Sequence, residues 1–208
     1  MPKDFDILTF YKERGGLSWS AISSFEWDKE QWYQSYILNI RQESKELTFG
    51  NYVDKELQNN PKFLPEVERY PVMQHEMRIM FDGVPLVGFA DGYDPGKTLA
   101  DYKTGKKAWT KKRADETGQL TMYALMLYLI EKVKPADMTF RIVWLPTAEH
   151  GDFSIGFREW PPKVQIFNTK RTMLDILQFG QRIKKTLGEM QEYVIHRQAL
   201  VDEPAMKL

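Results

Sequence analysis

Between His75 and Lys103 the chain reads as three short alternating runs divided by two turns, and this pattern limits the fold more than any other stretch. Met77, Ile79 and Phe81 alternate with polar neighbours; so do Val87, Phe89 and Asp91, and then Leu99, Asp101 and Lys103. Asp82-Gly83 and Tyr93-Asp94-Pro95-Gly96 supply the turn-forming residues between them. Side chains that repeat every second residue predict strands, here three in a meander. The rest of the chain supplies helices to cover them. Ala21 to Leu38, with Ile22, Phe25, Trp32 and Tyr36, suits a helix capped by Ser18 or Ser20. A second covers Phe49 to Gln58 and stops at Asn59-Asn60-Pro61. A third, Lys112 to Val133, is apolar almost all round after Gln119 and is therefore expected to be buried. Met138 to Leu145 reads as a fourth strand and Phe153 to Phe157 as a fifth. The last helix, about Asn168 to Ala199, carries an apolar stripe at Met173, Ile176, Leu177, Ile183, Leu187, Met190 and Val194. This order predicts an α/β fold with a mixed central β-sheet flanked by helices. No repeat or linker divides the 208 residues, so a single domain over 1–208 is expected.

Charge and composition narrow the possible functions. Twenty-nine basic side chains are balanced by 29 acidic ones, which argues against a globally basic nucleic-acid binder but leaves room for a local basic groove. The chain has no cysteine, so disulfides, iron–sulfur clusters, cysteine-held zinc and thiol catalysis are all excluded. Met-Pro-Lys-Asp-Phe-Asp at the start lacks the apolar stretch of a signal peptide. The most apolar run, Leu120 to Ile130, is too short to span a bilayer. A soluble, cytoplasmic protein without a membrane partner is expected.

The chemistry concentrates in Gly88-Phe89-Ala90-Asp91 and Leu99-Ala100-Asp101-Tyr102-Lys103-Thr104-Gly105. Asp101 and Lys103 point to the same face of their strand, with Tyr102 opposite. Asp91, ending the strand before, can reach that edge across the hairpin. Two carboxylates converging there suit a hard divalent cation held through oxygen ligands, whose shell water and a phosphate would complete. Lys103 would then stand beside the attacking water or the phosphate oxygens. Asp-x-Lys alone is also common as a solvated pair on an edge strand. Gly92 to Thr98 looks like a phosphate-binding loop but has one residue too few between its glycines, and it joins strand to strand.

The run resembles the RecB-like, Cas4-like branch of the PD-(D/E)XK nucleases. That branch has a Gly-x-x-Asp strand, a hairpin, an Asp/Glu-x-Lys-Thr-Gly strand and a helix opening Gln-Leu-x-x-Tyr. Gln119-Leu120-Thr121-Met122-Tyr123 matches the last element, and Gln119 and Tyr123 share one helix face. Ser18 to Phe25 is similar to the family's Ser-x-Ser-x-Leu-x-x-Phe segment. Gly50-Asn51-Tyr52-Val53-Asp54 is similar to its Gly-x-x-x-His, with Asp54 in place of a metal-binding histidine and Glu56 as a competing candidate. The resemblance implies a restriction-endonuclease-like core and a catalytic set of Asp91, Asp101, Lys103, Gln119 and Tyr123. It also implies a Mg²⁺ or Mn²⁺ held by Asp54, Asp91 and Asp101. Relatives with an iron–sulfur cluster carry cysteines that this chain lacks, so no cluster is expected.

The implied activity is a DNA exonuclease of recombination, repair or phage replication, in the cytoplasm of a prokaryotic or phage-infected cell. Its expected partners are DNA, with single-stranded or frayed ends favoured, and recombination or replication proteins. An inactive nuclease-like DNA-binding subunit and a restriction-type endonuclease are the alternatives. Lys106, Lys107, Lys111, Lys112 and Arg113, with Trp109 among them, form a basic run suited to phosphate contacts and base stacking, or equally to a solvated helix entry. Glu76 adjoins the Asp91 strand and reads more simply as a surface residue.

Overall fold

The computed structural model describes residues 5–40, 43–150 and 154–202, with side chains as far as residue 199. In chain order they form α1 (Ile7–Glu13), α2 (Trp19–Trp27), α3 (Lys29–Trp32) continued by a π-helical turn at Tyr33–Ile37, and α4 (Lys45–Asn59). The hairpin strands β1 (Val72–Phe81), β2 (Val84–Asp94) and β3 (Thr98–Gly105) come next, then α5 (Lys111–Glu116) and α6 (Gly118–Glu131). Strands β4 (Thr139–His150), β5 (Ser154–Phe157) and β6 (Gln165–Thr169) precede the long α7 (Met173–Asp202). One six-stranded sheet runs β1-β2-β3-β4-β5, with β6 also paired to β4. It is mixed: β3 and β4 are parallel from Thr98↔Thr139 to Gly105↔Pro146, and β5 and β6 are antiparallel to β4. Parallel neighbours need a long crossover, and α5 and α6 provide it. The expected α/β architecture with flanking helices is therefore present.

The chain's contacts gather into two compact units built from discontinuous segments. One comprises Gln42–Met77 and Gly88–Ile176. In it, β4 buries Phe140, Ile142, Val143, Trp144 and Leu145 in succession, as a strand covered on both faces must. Val53 and Leu57 of α4 pack with Leu64, Val67, Tyr70, Ala100, Tyr102, Val143 and Leu145. Each fully buried side chain of this kind stabilises the fold by about 1.5–3 kcal/mol. The helix expected over Lys112 to Val133 is two helices, because Thr117 is extended (φ −65, ψ 123) and ends α5 before α6 begins. Arg171 holds that break. It is 2% exposed, and its five N–H groups donate to Thr121 Oγ1, Thr169 Oγ1 and the carbonyls of Lys170, Ala114 and Thr117 at 2.8–3.1 Å.

The other unit comprises Met1–Arg41, Arg78–Val87 and Leu177–Leu208. Asp6 caps α1, accepting the N–H groups of Leu8 and Thr9, and Ser18 caps α2. The continuous helix expected over Ala21 to Leu38 is broken at Asp28. That residue is extended (φ −152), and its carboxylate accepts Gln31 N–H to start α3. Trp32 is fully buried, edge-on to Phe25 at 4.9 Å between ring centroids, and its indole N–H donates to Tyr11 Oη. Phe179, Ile183, Leu187, Met190 and Val194 form the buried stripe of α7.

That helix starts later than expected. Asn168 belongs to β6, and a reciprocal cap between Thr172 and Asp175 sets the first turn. Met173 and Leu177 are exposed, Leu177 to 62%, and Phe179 is buried in the stripe instead. The helix α1 was not expected, and α4 begins four residues before Phe49 because Ser44 caps it. Phe153, assigned to the fifth strand, lies outside the described residues. Among the described residues no helix is long and apolar enough to cross a membrane.

Candidate active site

Asp101 and Lys103 lie two residues apart on β3 and so share a face. Asp101 is 1% exposed, and its Oδ2 lies 2.7 Å from the Lys103 ammonium. Burial works against the lysine's charge, but Asp101 and then Asp91 outweigh it and push its pKa above the usual range. Burial pushes the Asp101 carboxyl upward, opposed by Lys103. The paired register of β2 and β3 ends at Gly92↔Ala100. Just past that point the Asp91 side chain stands in for a main-chain acceptor, its Oδ2 taking the Tyr102 N–H at 2.6 Å. Its Oδ1 accepts Gln74 Nε2 at 2.9 Å. Burial, and next the negative charge of Asp101, push the Asp91 carboxyl up to about 8.

Helix α6 closes one side of this set. Gln119 spends both amide hydrogens, on Asp101 Oδ1 at 2.7 Å and on Tyr123 Oη at 2.9 Å. Tyr123 in turn donates to the Phe89 carbonyl at 2.6 Å. The i, i+4 pair thus ties the helix to β2 and β3 while holding one oxygen of Asp101. The Gly88 of Gly-x-x-Asp permits this approach, because a Cβ there would lie 2.9 Å from Tyr123 Cε1 and 3.2 Å from Met126 Sδ. Gly50 does the same for α4, where a Cβ would meet Thr104 Oγ1 at 3.2 Å. One turn later on that helix, Asp54 is pushed up to about 6 by burial and then by Asp101, with Lys103 opposing. Glu56 instead accepts a hydrogen bond from Asn60 at 2.9 Å. Of the two upstream candidates, Asp54 is the one in electrostatic contact with Asp101 and Lys103.

The basic run is arranged differently from a free cationic comb. Lys106 pairs with Glu149 and Glu46, Lys111 with Asp115, and Lys112 with Glu116 at 3.8 Å. Lys107 is exposed and has no ion pair among the described residues. Trp109, expected to be available for stacking, is 9% exposed, with the Arg113 guanidinium 4.0 Å from its ring centroid. Glu76 is exposed on β1. Gln74 is the site residue that motif reasoning missed, since its role depends on a cross-strand contact.

The donors fit a hard divalent cation in kind. Asp101 Oδ2 is buried with the Lys103 ammonium 2.7 Å away, and the Asp54, Asp91 and Asp101 carboxylates repel one another beside it. Among the described residues, however, no three His, Asp or Glu side chains are drawn together closely enough to hold an ion unaided. Two carboxylates with water and a substrate phosphate are the ordinary set for Mg²⁺.

A pH dependence follows from Asp91. Its folded pKa of about 8 lies far above the ordinary 3.8, so the folded state keeps a proton that the unfolded chain has released. Without added metal, the contribution of Asp91 to stability should therefore be fully present below about pH 4, be lost as pH rises toward about 8, and change no further beyond. Urea unfolding at several pH values checks this, and Asp91→Asn should flatten the decline. An unchanged slope in that variant would remove Asp91 as its source.

No protein-family model and no curated protein matches the chain. Solved structures do. An inferred exonuclease from Eubacterium rectale aligns with a TM-score of 0.59 over 90% of this chain and 85% of its own, at 12% identity. An alkaline exonuclease from Laribacter hongkongensis aligns with a TM-score of 0.50 over 93% of this chain and 98% of its own, also at 12% identity. At such identities the likeness is one of fold, and this chain shares the fold of these two exonuclease structures.

Proposed function

We propose that this chain is a divalent-metal-dependent deoxyribonuclease that hydrolyses phosphodiester bonds at DNA ends. The observation carrying the reading is that Asp91, Asp101 and Lys103 meet at one edge of a nuclease-like sheet, with Gln119 and Tyr123 bracing them. Asp91 and Asp101 would hold Mg²⁺ or Mn²⁺, with water and the substrate phosphate completing the shell and Asp54 from α4 adding negative charge beside them. Such an ion supplies positive charge where two anionic centres, carboxylates and phosphate, must approach. The Lys103 ammonium orients the attacking water and stabilises the charge that develops on the phosphate oxygens. Gln119 keeps Asp101 from rotating, and Tyr123 keeps Gln119 in place. Lys107 offers a phosphate contact, and the paired lysines beside it can exchange a surface carboxylate for a phosphate at little cost. Membership of the RecB-like branch, without an iron–sulfur cluster, and a role in recombination, repair or phage replication agree with the motif set.

One assay tests the reading. End-labelled linear DNA and covalently closed circular DNA are incubated with Mn²⁺, with Mg²⁺ and with EDTA. Linear DNA should be degraded progressively with either ion, EDTA should stop the reaction, and the closed circle should persist. Full hydrolysis in EDTA would sink the metal-dependent mechanism. Rapid nicking of the circle would reject the requirement for an end and favour an endonuclease.

A further inference from the structure

Gln74 lies inside β1, not in a turn, yet its backbone is left-handed, with φ 53°. Few residues other than glycine and asparagine take that conformation readily, and inside a strand it persists only where the surroundings impose it. The local turn chemistry does not ask for it, but the side chain has a definite target. Its amide nitrogen donates to Asp91 Oδ1 at 2.9 Å, across from the Tyr102 N–H that holds Oδ2 at 2.6 Å. Each carboxylate oxygen has two lone pairs. With one on each oxygen engaged by these donors, the carboxylate cannot rotate, and the remaining pairs have a set direction.

We propose that Gln74 is a positioning residue for Asp91, an outer-shell amide whose strained backbone aims it at Oδ1 so that the carboxylate presents its free lone pairs to a divalent cation. The inference rests on the metal-dependent reading above. Outer-shell donors of this kind typically change metal affinity about 10–100-fold when removed. The side chain's length is part of the device: asparagine keeps the amide and tolerates the backbone, but falls one methylene short of Asp91.

The test is direct Mn²⁺ binding, followed by the EPR signal of the free ion, together with thermal unfolding of the metal-free protein. Wild type, Gln74→Asn, Gln74→Gly and Asp91→Asn are compared. Both Gln74 variants should bind Mn²⁺ at least about tenfold more weakly. Their metal-free midpoints should stay near the wild-type value, because asparagine and glycine accept a positive φ more easily. Wild-type Mn²⁺ affinity in both variants would overturn the proposal. So would a large drop in metal-free stability accompanying the loss of affinity, since that marks a merely structural role. If Asp91→Asn weakens binding while the Gln74 variants do not, the metal site stands and only the role of Gln74 falls. If wild type itself binds no Mn²⁺, both are overturned.

Discussion

Lys103→Ala is expected to lower the turnover of DNA hydrolysis by about 10²–10³-fold, the usual loss when one preorganised electrostatic group is removed from a transition state. The substitution takes away the ammonium 2.7 Å from Asp101 Oδ2, the positive charge that, among the described residues, offsets Asp54, Asp91 and Asp101. DNA affinity should change much less, because the phosphate contacts proposed for Lys107 and its neighbours remain. The loss should therefore appear in kcat with KM little altered. Lys103→Met, which keeps the apolar stem, should be as inactive as the alanine variant but closer to wild type in stability. Wild-type kcat in either variant would show that Lys103 has no catalytic role. Circular dichroism with a thermal melt separates loss of chemistry from loss of fold.

Arg171→Ala should produce the largest loss of stability of any single substitution considered, about 3 kcal/mol or more. All five of its N–H groups meet neutral oxygens, so truncation strands several buried acceptors at once. For a chain of this size the thermal midpoint would fall by roughly 6–12 °C. Arg171→Lys should recover only part of it, since an ammonium has three hydrogens and cannot span the same fork. Two of the carbonyls it holds belong to Ala114 and Thr117, where α5 gives way to α6 two residues before Gln119. Activity measured well below the midpoint should thus also decline. A melt within about 2 °C of wild type would refute the assignment.

The parts of the site that could be read from the sequence are those set by regular geometry. Asp101 and Lys103 obey the two-residue period of a strand, and Gln119 and Tyr123 the four-residue spacing of a helix, so each pair comes together without tertiary knowledge. Gly50 and Gly88 were legible as motif members, though the reason for them, close passage of α4 and α6, appears only once the helices are seated. Gln74 was not legible, because its partner is set by strand pairing and by a backbone conformation that its residue type does not announce. The lysine run showed its charge in the sequence but not the neutralisation of Lys106, since Glu46 and Glu149 come from distant segments, whereas Lys111 and Lys112 pair locally with Asp115 and Glu116. The helix breaks were missed for a local reason. Asp28 and Thr117 are weak helix formers that a helix interior still tolerates, and a side-chain cap at the first and the Arg171 clamp at the second decide the outcome. Strand β6 is short and borders a strong helical pattern, which overlaps its last two residues, Asn168 and Thr169.

The way Asp91 closes the end of the β2–β3 pairing bears on how an inert form of the proposed nuclease, for trapping bound DNA, should be made. Alanine at that position would leave the Tyr102 amide and the Gln74 side chain facing a void, and the hairpin would relax around the substrate one wished to photograph. A co-crystal obtained that way would report a rearranged cleft. Asparagine at Asp91 keeps an oxygen for the amide, and methionine at Lys103 leaves the strand pairing untouched. These are the silent variants from which a faithful picture of bound DNA can be taken.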